Sequence, residues 1–295
     1  MKEKAFASYH PIILFVYFTV TVFITMFTMN PVLLGISFVG SIAFCGMLIG
    51  GKELLKSLAY SVPILIVIAL TNPLFSHNGE TILFFLNDNP VTAESIWYGV
   101  AIAVMIISTY YWFKCYHAVM TSDKFVYLFG RFLPKLALLL SMTLGFIPKL
   151  KRRYREINDA QKAMGIYISR SYVDRMRSKI RVLSILLTWS LENSVDTADS
   201  MRARGYGLKG RTSYAIYRWH KRDTIMACLA FALSIGIIWL MFSGYGGFNY
   251  YPTLAAVDIS VLAFILYAGL FILMFLSTVI EIKENVLWRY LRSKI

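Results

Sequence analysis

Six long apolar stretches constrain the fold of this chain more than any other feature of its sequence. They are residues 12–29, 31–49, 54–71, 96–113, 224–243 and 259–280. Each approaches the roughly 20 residues that a helix needs to cross a hydrocarbon core of about 30 Å. Because lipid offers no hydrogen-bond partner to the backbone, such stretches form helices. The third is marginal, since it carries Lys56 and Pro63. The sequence therefore predicts an all-α, polytopic membrane protein with about six transmembrane helices.

The distribution of charge predicts how these helices are oriented. The chain has 30 Lys and Arg against 16 Asp and Glu, a net charge of +14. In a six-span model with both termini in the cytoplasm, the three outer connections contain no Lys or Arg. Basic residues collect on the cytoplasmic side of membrane proteins. We therefore expect cytoplasmic termini and basic segments, and the charge is interpreted as a topology signal with no nucleic-acid partner.

Most of the excess charge lies in one segment between the fourth and fifth spans. Residues 149–222 contain eighteen Lys and Arg against six Asp and Glu. Attraction to anionic inner-leaflet lipids is one expected role. Two apolar runs, 132–148 and 182–191, are predicted to lie at the inner interface or under the bundle, because crossing would export the basic stretch between them. The predicted domains are 1–131 with four spans, 132–222 as a cytoplasmic or interfacial insert, and 223–295 with two spans.

Two short segments within this insert resemble each other. Residues 159–165, Asp-Ala-Gln-Lys-Ala-Met-Gly, and residues 199–205, Asp-Ser-Met-Arg-Ala-Arg-Gly, agree at an Asp, a basic residue, an Ala and a Gly. Each pattern is typical of the last turns of a helix that a glycine ends, with basic side chains near the negative end of the helix dipole. Before the second segment, an apolar face is predicted from Leu187, Leu191, Val195, Ala198 and Met201. The sequence thus predicts two similar helix ends in the cytoplasm.

These segments also carry a resemblance to a known family. The run 196–207, which contains Ala203-Arg204-Gly205, resembles the second Ala-Arg-Gly motif of the T component of energy-coupling-factor transporters, the group that includes the cobalt-transporter Q component. Residues 160–165 stand at the place of the first motif. Asn-Pro-Leu-Phe at 72–75 and Phe-Ile-Pro at 146–148 complete the pattern. Together with the six-span layout, these matches cover the whole chain in the expected order.

The resemblance implies a non-catalytic subunit of a bacterial importer in the cell membrane, with coupling helices in its cytoplasmic insert. Its implied partners are two cytoplasmic ABC ATPase subunits and one small membrane protein that captures a vitamin, a vitamin precursor or a metal ion. ATP binding would move the ATPases, and the coupling helices would transmit that movement to the substrate-binding partner. No cofactor is implied for this chain.

The resemblance places ATPase docking at the two helix ends. The implied residues are Lys162, Ala163, Met164 and Gly165 at the first end, and Arg202, Ala203, Arg204 and Gly205 at the second. The first motif usually has Arg where Met164 stands, and the residue before Phe-Ile-Pro is often Arg where this chain has Gly145. Either the first end docks through Lys162 and apolar contact with Met164, or one ATPase subunit has lost the matching carboxylate.

Arginine suits such a joint because its guanidinium stays charged and can hold a carboxylate through two parallel hydrogen bonds. Arg204 stands directly before Gly205, so we expect little bulk around it. Arg202 is two residues away and cannot share the same helix face. Arg204 is therefore the residue to which the sequence assigns the principal contact.

Two other patterns suggest different chemistry. Residues 46–52 have the glycine and lysine spacing of a phosphate-binding loop, but they end an apolar span and Glu53 stands where Ser or Thr should bind magnesium. Asp196 and Asp199 are spaced to share a helix face and could hold a magnesium diphosphate. The alternative function is therefore an intramembrane, prenyl-transferase-like enzyme that acts on phosphorylated lipids. The histidines are too scattered to predict a metal site.

Overall fold

The chain is helical along most of its length and divides into two compact units. The computed structural model describes residues 5–76, 78–86, 89–130, 133–165, 172–208 and 217–292. One unit, the membrane unit, joins Met1–Thr121 to Tyr217–Ile295, and the other, the inserted unit, is Ser122–Ile216. The domain boundaries predicted at residues 132 and 222 stay a prediction.

The membrane unit contains six of the nine described helices. They are α1 (Pro11–Phe27), α2 (Pro31–Ile49), α3 (Gly51–Phe75), α4 (Ala93–Val119), α8 (Lys221–Phe242) and α9 (Val261–Arg292). A single 3-10 turn, Phe6–Ser8, precedes α1. α2 begins where the Asn30 side chain accepts a hydrogen bond from the Val32 N–H at 3.0 Å, with Pro31 in the first turn. A capping side chain followed by proline is a strong helix start.

Five of these helices match the length and polarity of membrane spans. Within the described residues, α2, α3, α4, α8 and α9 are long and apolar enough to cross a membrane, whereas α1 is equally apolar but has 17 residues. The chain is therefore a multi-pass membrane protein, as predicted. The number of six spans stays a prediction, because α1 is shorter than the other five helices.

An aromatic cluster fills the interior of the membrane unit. Phe6, Tyr17, Phe18, Phe44 and Trp112 are almost completely buried. The Phe6 ring lies 5.4 to 6.0 Å from those of Tyr17, Phe18 and Phe44 in edge-to-face geometry. This arrangement is the one that aromatic quadrupoles favour. The segment before α1 is thereby anchored in the core.

Hydroxyl groups join the packed helices inside this unit. The Trp112 Nε1–H donates to Ser37 Oγ at 3.0 Å, and Ser37 Oγ lies 2.7 Å from Thr25 Oγ1. The Tyr17 hydroxyl donates to the Leu273 carbonyl at 2.9 Å. Such bonds contribute to helix association in lipid, where small and hydroxyl side chains replace the hydrophobic effect between helices. They connect α1, α2, α4 and α9.

A short β-hairpin connects α3 to α4 and was not predicted. Strand β1 (Ile82–Leu86) pairs antiparallel with β2 (Asn89–Thr92). The Glu94 carboxylate, buried at the start of α4, accepts a hydrogen bond from the Thr81 N–H at 3.3 Å. The sequence does contain a signal for it, because an apolar run followed by Asn, Asp and Pro is typical of a hairpin.

The described residues of the inserted unit form three helices, α5 (Ser122–Gly130), α6 (Pro134–Ala163) and α7 (Tyr172–Ala203). α6 runs without interruption through Pro148. Buried side chains of Ile157 on α6 and of Val182 and Leu186 on α7 form a small core, with Leu150 packed against it. The apolar runs predicted at 132–148 and 182–191 lie in α6 and α7, apart from Leu133, which directly precedes α6, and Phe132, which is outside the described residues. Neither helix is among the candidate spans.

Candidate functional site

The two segments with similar sequence form the carboxyl ends of α6 and α7. Ala163 is the last residue of α6 and Ala203 is the last residue of α7. The predicted docking residues thus form two groups of four, one at each helix end. Both predicted helix ends are present in the structure.

The end of α7 is closed by a pair of backbone hydrogen bonds. The Gly205 N–H donates to the Arg202 carbonyl at 3.0 Å, and the Tyr206 N–H donates to the Met201 carbonyl at 3.0 Å. Gly205 has φ of +81°, in the left-handed region. These features define a Schellman motif, in which the residue after the cap reverses the chain and satisfies the last carbonyls. Glycine is favoured there because it has no Cβ to clash.

The end of α6 has the corresponding cap. The Gly165 N–H donates to the Lys162 carbonyl at 3.0 Å, and Gly165 has φ of +76°. The next residue, which would complete the motif, lies outside the described residues. Met164 therefore occupies at this end the same cap position that Arg204 occupies at the end of α7. Its side chain is exposed.

Each helix end also carries one basic residue paired with an aspartate one turn earlier. Lys162 Nζ lies 3.4 Å from Asp159 Oδ1, and Arg202 Nη1 lies 3.9 Å from Asp199 Oδ1. All four side chains are more than half exposed. Exposed pairs of this kind contribute about 1 kcal/mol or less, so they do not prevent either cation from changing partner.

Arg204 differs from these neighbours. Its side chain is exposed, and no carboxylate of the described residues lies within ion-pair distance of it. Within the described part of the chain, the five N–H donors of the guanidinium are therefore available to a partner. The docking role of the eight residues stays a prediction.

A second glycine also shapes this helix end. Gly207 has φ of +98°, so a second left-handed residue follows Gly205 and turns the chain again. The signal was present in the Gly-Tyr-Gly spacing, because two glycines in such close succession favour consecutive left-handed turns. The Leu208 N–H donates to the Gly205 carbonyl at 3.2 Å, so Leu208 lies beside the tip, a contact that the sequence did not predict.

Two further family segments have structural roles in the described chain. The Asn72 Nδ2 group donates to the Ser95 carbonyl at 2.7 Å, which joins the last turn of α3 to the first turn of α4. Phe146 stacks on Trp189 of α7 with ring centroids 5.8 Å apart and planes inclined by 10°. Each segment therefore fixes a contact between two helices.

The competing patterns do not assemble the sites that they suggested. α2 ends at Ile49 and α3 begins at Gly51, so a helix rather than a strand precedes Lys52. Asp199 lies next to Arg202. In the part of the chain that the structure describes, no three His, Cys, Asp or Glu side chains form a group that could hold a metal ion. The phosphorylated-lipid enzyme is therefore not favoured.

Comparison with known proteins gives an independent view of the chain. A family model described as CbiQ, cobalt transport protein, matches residues 9–214. The energy-coupling factor transporter transmembrane protein EcfT of Listeria innocua is 39% identical over 108 residues, which are 36% of this chain and 41% of that protein.

Two other proteins with the same description show a similar likeness. The one from Exiguobacterium sibiricum is 35% identical over 116 residues, covering 39% of this chain and 43% of its own length. The one from Streptococcus thermophilus is 34% identical over 108 residues, covering 36% and 41%. The chain thus spans about two-fifths of the length of the curated relatives that it matches.

Proposed function

Because the chain belongs to the CbiQ cobalt transport protein family, we propose that it is the energy-coupling transmembrane subunit of an ATP-driven importer. Two cytoplasmic ATPase subunits bind its inserted unit, and a small membrane protein supplies the substrate. The observation that carries the proposal is the pair of similarly capped helix ends, one of which presents Arg204, exposed and without an ion pair among the described residues.

The lengths of α6 and α7 suit the proposed transmission of movement between subunits. α6 has 30 residues and α7 has 32. At 1.5 Å per residue, each helix is about 45 to 48 Å long. Capped final turns resist fraying, so a force applied at either tip moves a helix as a whole. The contact between α6 and α7 through Ile157, Val182 and Leu186 couples their movements.

An apolar face of α7 supports the proposed contact with a membrane partner. Leu183, Leu187, Leu191 and Val195 follow one another at steps of four residues, and each is more than half exposed. The predicted face from Leu187 to Met201 overlaps this set. A helix face of this kind fits an apolar partner, such as the transmembrane helices of a small substrate-binding protein.

The proposed subunit is non-catalytic, and its partners supply both ATP hydrolysis and substrate choice. The cargo is a vitamin, a vitamin precursor or a metal ion that the membrane partner captures. The proposed location is the bacterial cell membrane, with both termini in the cytoplasm. The charge distribution supports this orientation, since residues 72–95 and 244–258 contain no Lys or Arg.

Substitution of Arg204 by Glu tests the docking assignment. Removing one partner of a desolvated charge pair costs about 3 to 5 kcal/mol, which corresponds to a loss of affinity of about 100-fold or more. We expect Arg204→Glu to lose the ATPase subunits during affinity purification of the assembled transporter and to lose transport in whole cells.

Two substitutions on the same helix serve as controls. Arg202→Glu makes the same change of charge two residues away, and Asp196→Asn removes a carboxylate that the enzyme hypothesis requires. We expect Asp196→Asn to retain the ATPases and Arg202→Glu to have the smaller effect of the two arginine variants. Retention of the ATPases and normal transport by Arg204→Glu would contradict the docking assignment, and loss of lipid turnover by Asp196→Asn would favour the enzyme.

A further inference from the structure

A basic groove lies between α6 and α7, away from the two helix ends. It has a volume of about 220 Å³ and is lined by Lys149, Arg152, Arg153 and Glu156 of α6 and by Trp189 of α7. Arg153 is nine residues before Lys162, which places it about 14 Å from the docking end along the helix axis. The groove therefore needs an explanation separate from ATPase docking.

The charges in the groove do not cancel. Arg152 Nε donates to Glu156 Oε1 at 3.1 Å, and Arg153 Nη1 donates to Glu156 Oε2 at 3.0 Å. Hydrogen bonds from Arg153 and then Arg152 lower the pKa of Glu156, so this carboxylate is ionised at neutral pH. Lys149 has no carboxylate partner among the described residues. Three cations face one anion, and each guanidinium keeps further donors for an anionic ligand.

Trp189 gives the groove an apolar wall with a polar edge. Phe146 stacks on its ring, and the Arg153 guanidinium carbon lies 5.7 Å from the ring centroid. Tryptophan in this setting is typical of the boundary between hydrocarbon and water. The aromatic pair also holds the cationic side of α6 against α7.

The groove lies where α6 changes from apolar to basic. Residues 136–148 contain no charged side chain, and Lys149 begins the basic part of the same helix. Residues at steps of three and four share a helix face, so Met142, Gly145 and Phe146 continue the face of Lys149 and Arg152. A Cβ added to Gly145 would meet nothing within 4 Å. An exposed apolar face of α6 therefore continues from the cationic groove.

We propose that this groove binds the head group of an anionic phospholipid of the inner leaflet. Lys149, Arg152 and Arg153 hold the phosphodiester, and an acyl chain lies along Met142 and the open space at Gly145. The combination selects a lipid over a free anion, because the cations bind phosphate and the adjoining face binds hydrocarbon. A diffuse basic surface requires no such adjoining apolar face.

The test measures lipid retention by the full-length protein. The wild type and its variants are reconstituted in nanodiscs of phosphatidylcholine with a minor fraction of phosphatidylglycerol, and the lipids that remain bound after extraction are quantified by native mass spectrometry. Lys149→Gln with Arg152→Gln removes two charges from the groove. Lys151→Gln with Arg155→Gln removes the same charge from the opposite face of α6, where both side chains are exposed.

We expect the groove variant to bind phosphatidylglycerol about 20-fold more weakly, since each basic residue near an anionic head group contributes about a fivefold factor. The opposite-face variant should bind it like the wild type. Equal losses in the two double variants would overturn the proposal and indicate diffuse attraction to the lipid surface.

A second variant tests the apolar face without changing charge. Met142→Gln makes this face more polar, so we expect it to weaken retention of phosphatidylglycerol while leaving the purified protein folded. Inorganic phosphate is added as a competitor in a separate arm. Unchanged lipid retention by Met142→Gln, or displacement of the lipid by millimolar phosphate, would overturn the assignment to a phospholipid.

Discussion

At the scale of single residues, the cap at the end of α7 determines what Arg204 can do. Gly205 accepts a backbone conformation that reverses the chain, so Arg204 is the last residue before the reversal, and its side chain is exposed. The same backbone at the end of α6 presents Met164 instead. The two helix ends therefore have similar glycine caps but present different side chains, one apolar and one cationic.

Substitution of Gly205 by Ala should disturb this tip without changing its charge. A non-glycine residue in the left-handed region costs about 1 to 2 kcal/mol, and the added Cβ would lie 3.1 Å from Leu208 Cδ1. We expect faster amide hydrogen exchange at Tyr206 and weaker ATPase binding. Gly145→Ala is the matched control, because that glycine is helical with open space around it and alanine there should be neutral or slightly stabilising. Unchanged exchange at Tyr206 would mean that the cap does not depend on glycine.

The sequence alone predicts the two helix caps but does not predict the groove, for one physical reason. A glycine after a basic, amphipathic segment ends a helix through contacts within six residues, so Gly165 and Gly205 predict their own surroundings. The groove depends on Trp189 meeting Phe146 and Arg153 across 36 to 43 residues. No local sequence pattern predicts contacts between residues so far apart in the chain.

At the scale of elements, the glycines of α2 show what close packing requires. A Cβ on Gly40 would lie 3.1 Å from Met274 Cβ of α9, and one on Gly46 would lie 3.0 Å from Leu54 Cδ2 of α3. Gly35 has nothing within 4 Å. Small residues in a membrane helix permit close approach of a neighbour, but the sequence shows only that such residues are present. It could not assign the neighbour, because a glycine accommodates another helix, lipid or a partner protein equally well.

Substitution of Gly40 by Leu should separate α2 from α9. Overpacking at a buried site costs about 1 to 3 kcal/mol, and the neighbour here is the Cβ of Met274, which cannot rotate away. We expect a lower thermal unfolding temperature in detergent. Gly35→Leu makes the same substitution five residues earlier in open space. If the two variants were equally stable, the close contact between α2 and α9 would be in doubt.

At the scale of the whole molecule, the uneven distribution of Lys and Arg along the chain is the strongest indication of how its apolar helices are oriented. The sequence predicted a multi-pass helical membrane protein because hydrocarbon tolerates little else, and the helices α2, α3, α4, α8 and α9 agree with that prediction. The hairpin of β1 and β2 escaped it, since its apolar run is only five residues long. A short apolar run does not by itself distinguish a strand from part of a membrane-spanning helix. The segment with which it pairs must also be known.

Site-directed labelling should reveal the orientation of the chain. In a background with Cys228 replaced by Ser, a membrane-impermeant maleimide should label Asn249→Cys in intact cells. It should label Ser200→Cys only after permeabilisation, because segments rich in Lys and Arg collect on the cytoplasmic side of membrane proteins. Cys45 and Cys115 are buried and should react slowly in the folded protein. Labelling of Ser200→Cys from outside would reverse the orientation and refute the transporter proposal.

The methionine at one tip and the arginine at the other make the two proposed docking sites chemically different. Under the proposed docking, two ATPase subunits bound at the tips of α6 and α7 would not be interchangeable, since an arginine favours a carboxylate on its partner and an exposed methionine favours an apolar surface. A pair of non-identical ATPase subunits would then bind in one arrangement, whereas two identical ones would bind the two tips with unequal strength.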